Sequence, residues 1–313
     1  VHMSKVKNVP NNLSNKRLDK VAAEIFPNFS RTQIKKWILD GRILVNGDFS
    51  KPKEIVQEND EIEINPIEEK RVSWDQQKID FEVHYESKDF IIINKPPGLV
   101  MHPGSGCYDG TLANGLIYRY PELANLPRSG IVHRLDKDTS GVLLIAKNQQ
   151  FRNYFIDQMQ HRNVTKEYTA IVVGSTLGSF SIEEPIGRDK YNRTKMMIRP
   201  DGKEALTFIR SSERLGNYSI LDIGIETGRT HQIRVHLSSK KLPIIGDSTY
   251  NPGRIIGKDS STELISIIRS FSRQALHARF LSFTCPKTEN EISFNIPVPS
   301  DMKKLISDIK KHS

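Results

Sequence analysis

From about residue 80 onward the chain repeats one kind of segment, a short run of branched and aromatic residues closed by a turn. FEVHYE (81–86), FIIINK (90–95), VLLIAK (142–147), EYTAIVVG (167–174), ALTFIRS (205–211), YSILDIGIE (218–226), RFLSFTC (279–285) and EISFNI (291–296) all read as strands. Helical spacing interrupts them at roughly 148–161, where Phe151, Tyr154, Phe155 and Met159 share a face, and again near 262–270 and 300–311. So many strands with so few helices between them predict an α+β unit around a largely antiparallel sheet. With 313 residues there is room for one large unit or two.

Between two apolar runs lies an unusual polar block, IVHRLDKDTSGVLLIAK (131–147). If IVH ends one strand and VLLIAK begins another, RLDKDTSG is the loop that joins them. Loops on a rigid sheet often carry catalytic groups. Gly141 permits a backbone conformation that other residues resist. Asp138 and Thr139 read as turn formers that bond nearby backbone. Asp136 differs, because Leu135 draws the adjacent backbone toward the core, and a carboxylate drawn inward needs a partner.

A partner is offered by GIETGRTHQIRVHLSSKKLPIIGD (224–247). Gly228 and Thr230 suit a turn that opens a helix, with Thr230 as N-cap and Ile233 and Leu237 on one face. The same string also alternates as a strand with Gln232, Arg234 and His236 on one face; the helix is the favoured reading. Either way Arg234 sits among apolar neighbours, and its permanently charged fork calls for a carboxylate.

Other chemistries fit poorly. His231 and His236 have the wrong spacing for an HExxH helix, and two cysteines, Cys107 and Cys285, are too few for a Cys-based zinc site or a disulfide framework. The second point fits a reducing cytoplasm. No GxxxxGK[ST] occurs, and PGSGC (103–107) is not GxSxG, which makes Ser105 a poor nucleophile. No apolar run approaches the roughly 18 residues of a membrane span. Asp136 and Asp138 could form a glycosidase-like pair, but neighbours two apart in a turn need not converge.

The front of the chain reads as a small module. Leu18, Val21, Ala22 and Ile25 follow helical spacing that Pro27 stops; Ser30 and Gln33 then make a capping box for a second helix ending at Gly41. RILVNG and DEIEI read as short strands. Residues 16–53 carry a local charge of +5 and residues 54–69 one of −7, while the whole net +9 lies in 70–313. A basic surface of this kind favours a polyanion, most simply nucleic acid. Four segments follow: a tail (1–15), the small module (16–65), a polar linker (66–78) and the large unit (79–313).

RLDK (17–20), SRTQIKKWILDGRILVNG (30–47) and NDEIEI (59–64) resemble the S4 RNA-binding domain, which implies RNA contact through Arg17, Arg31, Lys35, Lys36 and Arg42. GIVHRLDKDTSGVLLIAK (130–147), KEY (166–168), GRTHQIRVHL (228–237) and QALHARFLSF (274–283) resemble the RluA-type pseudouridine synthases, and the S4-like front resembles the ribosomal members of that family. The resemblance implies an α+β catalytic domain whose central, mostly antiparallel sheet carries a cleft. It implies conversion of uridine to pseudouridine in 23S rRNA or a precursor of the large ribosomal subunit, at the helix 69 stem-loop. Asp136 matches the catalytic aspartate, acting as nucleophile or as base at the sugar. Arg234 matches its salt-bridge partner, Tyr168 a tyrosine packed on the target base, and Arg134 a residue that enters the RNA as the base is flipped. No cofactor or metal is expected, since one bond replaces another without net redox change. A cytoplasmic monomer is expected. A different 23S rRNA specificity and a non-catalytic ribosome assembly factor are the competing readings.

Overall fold

Two main apolar cores organise the chain in a computed structural model, which describes residues 4–66, 74–104 and 106–312. Most of the expected linker (67–73) and Ser105 lie outside the described residues. The smaller core belongs to the front module. Its elements are β1 (Lys5–Asn8), α1 (Leu18–Ile25), α2 (Arg31–Leu39), β2 (Ile43–Val45), β3 (Asp48–Phe49) and β4 (Glu61–Ile64). Leu18, Val21, Ile34, Trp37 and Ile38 bury one face of the two helices against Ile62 and Ile64 of β4. The Ser30–Gln33 capping box forms as the spacing predicts. Asn46 and Gly47 both take positive φ, 53° and 83°, as a two-residue hairpin between β2 and β3 requires.

The strands run in the order β1–β4–β2–β3. Residues 5–13, part of the expected tail (1–15), instead add strand β1 to β4 and bury Val9 and Leu13. The side chains of β1 are exposed, and the strand is held by backbone pairing and by polar contacts such as Lys7 Nζ to the Ile25 carbonyl, 2.7 Å, none of which leaves an apolar trace in the sequence.

The larger core lines a nine-stranded sheet. In chain order its unit contains β5 (Glu82–Glu86), β6 (Phe90–Lys95), α3 (Leu112–Arg119), β7 (Ser140–Ala146), α4 (Gln149–Gln160), β8 (Thr165–Val173), β9 (Phe180–Glu183), the ribbon β10 (Ile186–Arg188) and β11 (Met196–Ile198), β12 (Leu206–Leu215), β13 (Tyr218–Ile225), α5 (Gln232–Ser239), α6 (Thr262–Ser270), β14 (Leu276–Thr284), β15 (Glu291–Asn295) and α7 (Ser300–His312). The sheet order is β9–β12–β13–β8–β14–β7–β6–β5, with β15 also on β14. The β7–β14 pair is parallel and the other pairs of the sheet are antiparallel, so the sheet is mixed. Phe151 and Phe155 of α4 pack on Phe283 of β14, which seats that helix on the sheet.

IVH does not form a strand. Ile131 makes a single bridge to Ile145, and residues 132–139 run as loop into β7, an interior strand of the sheet. Its exit is fixed by Gly141, at φ +122°, where a Cβ would stand 2.0 Å from the Ala278 carbonyl oxygen. A side chain there would push β7 off β14.

Candidate active site

The loop that carries Asp136 is held from behind by buried polar groups. Lys95, at the end of β6, is fully buried, and its Nζ donates to the carbonyls of Pro96, Leu99 and Lys137 at 2.8, 2.9 and 2.9 Å. Burial pulls Lys95 down to about 7 against the opposing charges of Asp138 and Asp136. The Leu144 N–H donates to His133 Nε2 at 2.8 Å, and burial, helped by the charge of Lys166, takes His133 down to about 3. His133 is therefore a neutral strut. Arg273 donates to the Asp138 carbonyl at 3.1 Å while gripping Asp301 of α7, and Gln274 donates to Thr139 Oγ1 at 3.2 Å. The local turn expected at Asp138 and Thr139 is present as the bond from Thr139 N–H to the Asp136 carbonyl, 3.1 Å.

Arg234 arrives from α5, the helix favoured by the sequence. Its start differs from expectation: Thr230 is not the cap. His231 occupies that place in the left-handed region, φ 57°, and makes no side-chain cap bond. Gln232 does the anchoring, its Oε1 accepting from Thr227 Oγ1 and the Arg229 N–H, its Nε2 donating to the Leu206 carbonyl and Thr207 Oγ1.

Arg234 is buried, and its fork is shared between two carboxylates. Nε and Nη2 donate to Asp247 at 2.7 and 2.8 Å; Nη1 donates to Asp136 Oδ2 at 2.9 Å. Burial alone would lower the basicity of Arg234, but the hydrogen bond and charge of Asp247, then those of Asp136, outweigh it and the net direction is up. Burial likewise opposes ionisation of Asp247, and the Arg234 bond and charge with the Tyr250 and Thr249 N–H groups reverse that and hold its carboxyl down. Asp247 has both oxygens occupied and is 1% exposed. The Asp136 side chain keeps 15% exposure and takes only one contact from Arg234. The same arginine thus has a closed partner and an open one.

Asp136 stands on the wall shared by two open pockets. One is lined by Tyr168, Ile225, Ile233 and Leu276; the other by Met101, His102 and Gln274; Arg134, His231 and Arg234 border both. Tyr168, on β8, is buried, and burial with the nearby Asp136 charge pushes its phenol well above the usual range, so it is a neutral ring and hydroxyl. Arg134 is exposed at the rim. His231 Nδ1 lies 2.7 Å from the Tyr250 hydroxyl and Nε2 lies 3.9 Å from Asp136, while the Tyr250 ring stacks under the Arg234 guanidinium, 5.0 Å from its centroid.

Asp136, Tyr168, Arg234 and Arg134 therefore meet at one place. The five basic residues assigned to the front module do not. Arg17 is engaged by Asp19 at 3.0 and 2.7 Å. Arg31, Lys35 and Lys36 are exposed on α2, and Arg42 is half-buried beside β2. Sequence reasoning missed Asp247, Tyr250 and Lys95. IIGDSTY reads as a turn after an apolar run, and only the Arg234 fork's spare capacity signalled a second carboxylate. No group of three or more His, Cys, Asp or Glu among the described residues is arranged to hold a metal.

Residues 89–239 match a family described as RNA pseudouridylate synthase, and residues 16–62 match the S4 domain. Ribosomal large subunit pseudouridine synthase D of Vibrio parahaemolyticus is 43% identical over 296 residues, covering 94% of this chain and 91% of the relative. The protein of that name from Escherichia coli K12 is 42% identical over 309 residues, covering 97% and 95%. Of solved structures, human RNA pseudouridylate synthase domain containing 1 aligns at 25% identity with a TM-score of 0.53 over 74% of this chain and 95% of its own. Human RNA pseudouridylate synthase domain containing 4, at 24% identity and a TM-score of 0.56, shares the fold over 73% and 93%.

Proposed function

Given that the chain belongs to the RNA pseudouridylate synthase family and carries an S4 domain at its front, we propose that it isomerises uridine to pseudouridine in 23S rRNA, at the helix 69 stem-loop. The observation that carries the catalytic assignment is the divided fork of Arg234. Asp247 holds the guanidinium in place, and Asp136 is thereby presented and oriented at the wall of an open pocket.

A uridine stacked in RNA must be flipped before its sugar can reach that wall, at a cost of a few kcal/mol. Contacts from Lys and Arg to phosphates offset the cost, and Arg134, exposed at the rim, fills the vacated stack. The uracil enters the pocket beside Tyr168, where stacking on the ring contributes about 1–3 kcal/mol. The Asp136 carboxylate meets the ribose as nucleophile or base. The N1–C1′ bond breaks, the uracil turns, the C5–C1′ bond forms, C5 loses its proton and N1 gains one. Tyr168, whose phenol burial keeps protonated, orients the base through its ring and does not act as a phenolate.

No helix among the described residues is long and apolar enough to cross a membrane. A monomer working in the cytoplasm, where the rRNA is, is part of the proposal. Incubation with unmodified 23S rRNA followed by chemical mapping of pseudouridine tests the reading. New pseudouridine in helix 69 is the expected result; no new site anywhere, with folded protein, would reject it.

A further inference from the structure

A groove runs between the two units, with α1 and α2 on one wall and α4 with the 127–130 turn on the other. Its floor is fixed by a direct bridge. Asn153 of α4 donates through Nδ2 to the carbonyls of Pro27 and Phe29, at 3.0 and 3.2 Å. The two walls of the groove thus meet at Asn153.

Arg152, next to Asn153 on α4, is the unusual residue here. Among the described residues its buried Nε has no hydrogen-bond acceptor, and its guanidinium meets no carboxylate. Burial and the repulsion of another arginine, Arg128, both lower its basicity. Arg128 itself is exposed and held at φ 53° by the turn. Across the groove stand Arg31 and Lys20 of the front module. Glu24 and Asp157 are the carboxylates in the lining, and Asp157 is engaged by His161 at 3.3 Å. A partly desolvated arginine beside a second arginine, with donors unmet, is an arrangement that an anion relieves, and a phosphate matches the guanidinium fork.

We propose that this groove binds the phosphodiester backbone of the substrate RNA away from the nucleotide being isomerised, with Arg152 and Arg128 gripping from the large unit and Arg31 from the S4 side. It rests on the RNA reading above, and makes one continuous binding surface of the front module and the large unit. The probe is a 23S rRNA fragment carrying helix 69 with its flanking helices, bound at equilibrium to the full chain over a range of potassium chloride concentrations. Removing one phosphate-binding cation lowers the magnitude of the log–log salt slope by about 1. Arg152→Gln and Arg128→Gln are each expected to do so, their combination by about 2, and Arg152→Lys to restore the slope at weaker affinity.

Because the Arg152 charge is unpaired without RNA, Arg152→Gln is also expected to keep or raise the melting temperature of the free protein. Wild-type slopes in both single variants, or a lower melting temperature for Arg152→Gln with an unchanged slope for Arg128→Gln, would overturn the groove. Pseudouridine mapping on the same RNA separates the two readings. Reduced slopes without modification would sink the isomerase and keep the groove, and modification with unchanged slopes would do the reverse.

Discussion

Replacing Asp247 by Asn separates the two carboxylates that share Arg234. Asn is nearly the same size, but one oxygen becomes an NH2 group. If the remaining oxygen keeps the Arg234 Nη2, Thr249 and Tyr250 donors now on Oδ1, the amide nitrogen faces Arg234 Nε, donor against donor. The buried guanidinium also loses the carboxylate that takes two of its three bonds, leaving only Asp136, and breaking one side of a buried ion pair costs about 3–5 kcal/mol. At about 2–4 °C per kcal/mol for a unit of this size, Asp247→Asn should lower the melting temperature by roughly 6–20 °C. Asp136→Asn should behave differently. The amide oxygen can still accept from Nη1, Arg234 remains clamped by Asp247, and the cost is about 1 kcal/mol. Thermal denaturation followed by circular dichroism, with single-turnover pseudouridine formation on the same samples, compares the two. The account requires the large thermal loss at Asp247 and the clean activity loss at Asp136. Equal destabilisation by both substitutions would show that Asp136 is one more structural carboxylate.

The supports of the loop give two more tests. Gly141→Ala places a methyl 2.0 Å from the Ala278 carbonyl in a left-handed backbone region, so it should destabilise the large unit and abolish turnover together, read by melting and by activity. For His133 the folded value is about 3 and the unfolded reference 6.5, so between them the unfolded chain takes up a proton that the native state refuses, and stability falls as pH falls. From pH 6.5 to 5 that contributes a loss of up to about 2 kcal/mol, which urea denaturation of His133→Gln should lack. Parallel pH dependence in both proteins would refute the assignment of His133 as a neutral strut.

What could be read from the residues divides by the range of the interaction. Strand and helix periodicity, the Ser30–Gln33 box and the polarity of the 131–147 block are local, and each marks its place in the sequence. Arg234 was legible because a charge among apolar neighbours demands a partner, although its bond to Asp136 spans 98 positions. Asp247 was not, since one partner already satisfied the demand and only the fork's geometry asks for two. Lys95 was hidden by the usual exposure of lysine, which three converging carbonyls override here. Helix α3 was obscured by Gly115, a poor helix former whose missing side chain makes room for Ile79. The strand expected at IVH failed because the polar supports, not a second strand, hold the loop. His231 took the place expected of Thr230 because the turn needs a left-handed residue and Gln232 supplies the anchoring bonds.

The most direct measurement uses Asp136→Asn with unmodified 23S rRNA, scoring equilibrium binding and pseudouridine formation in parallel. The account predicts wild-type affinity with no pseudouridine formed. A variant that still converts the uridine at the wild-type rate would contradict it, however well the Arg234 contact is made.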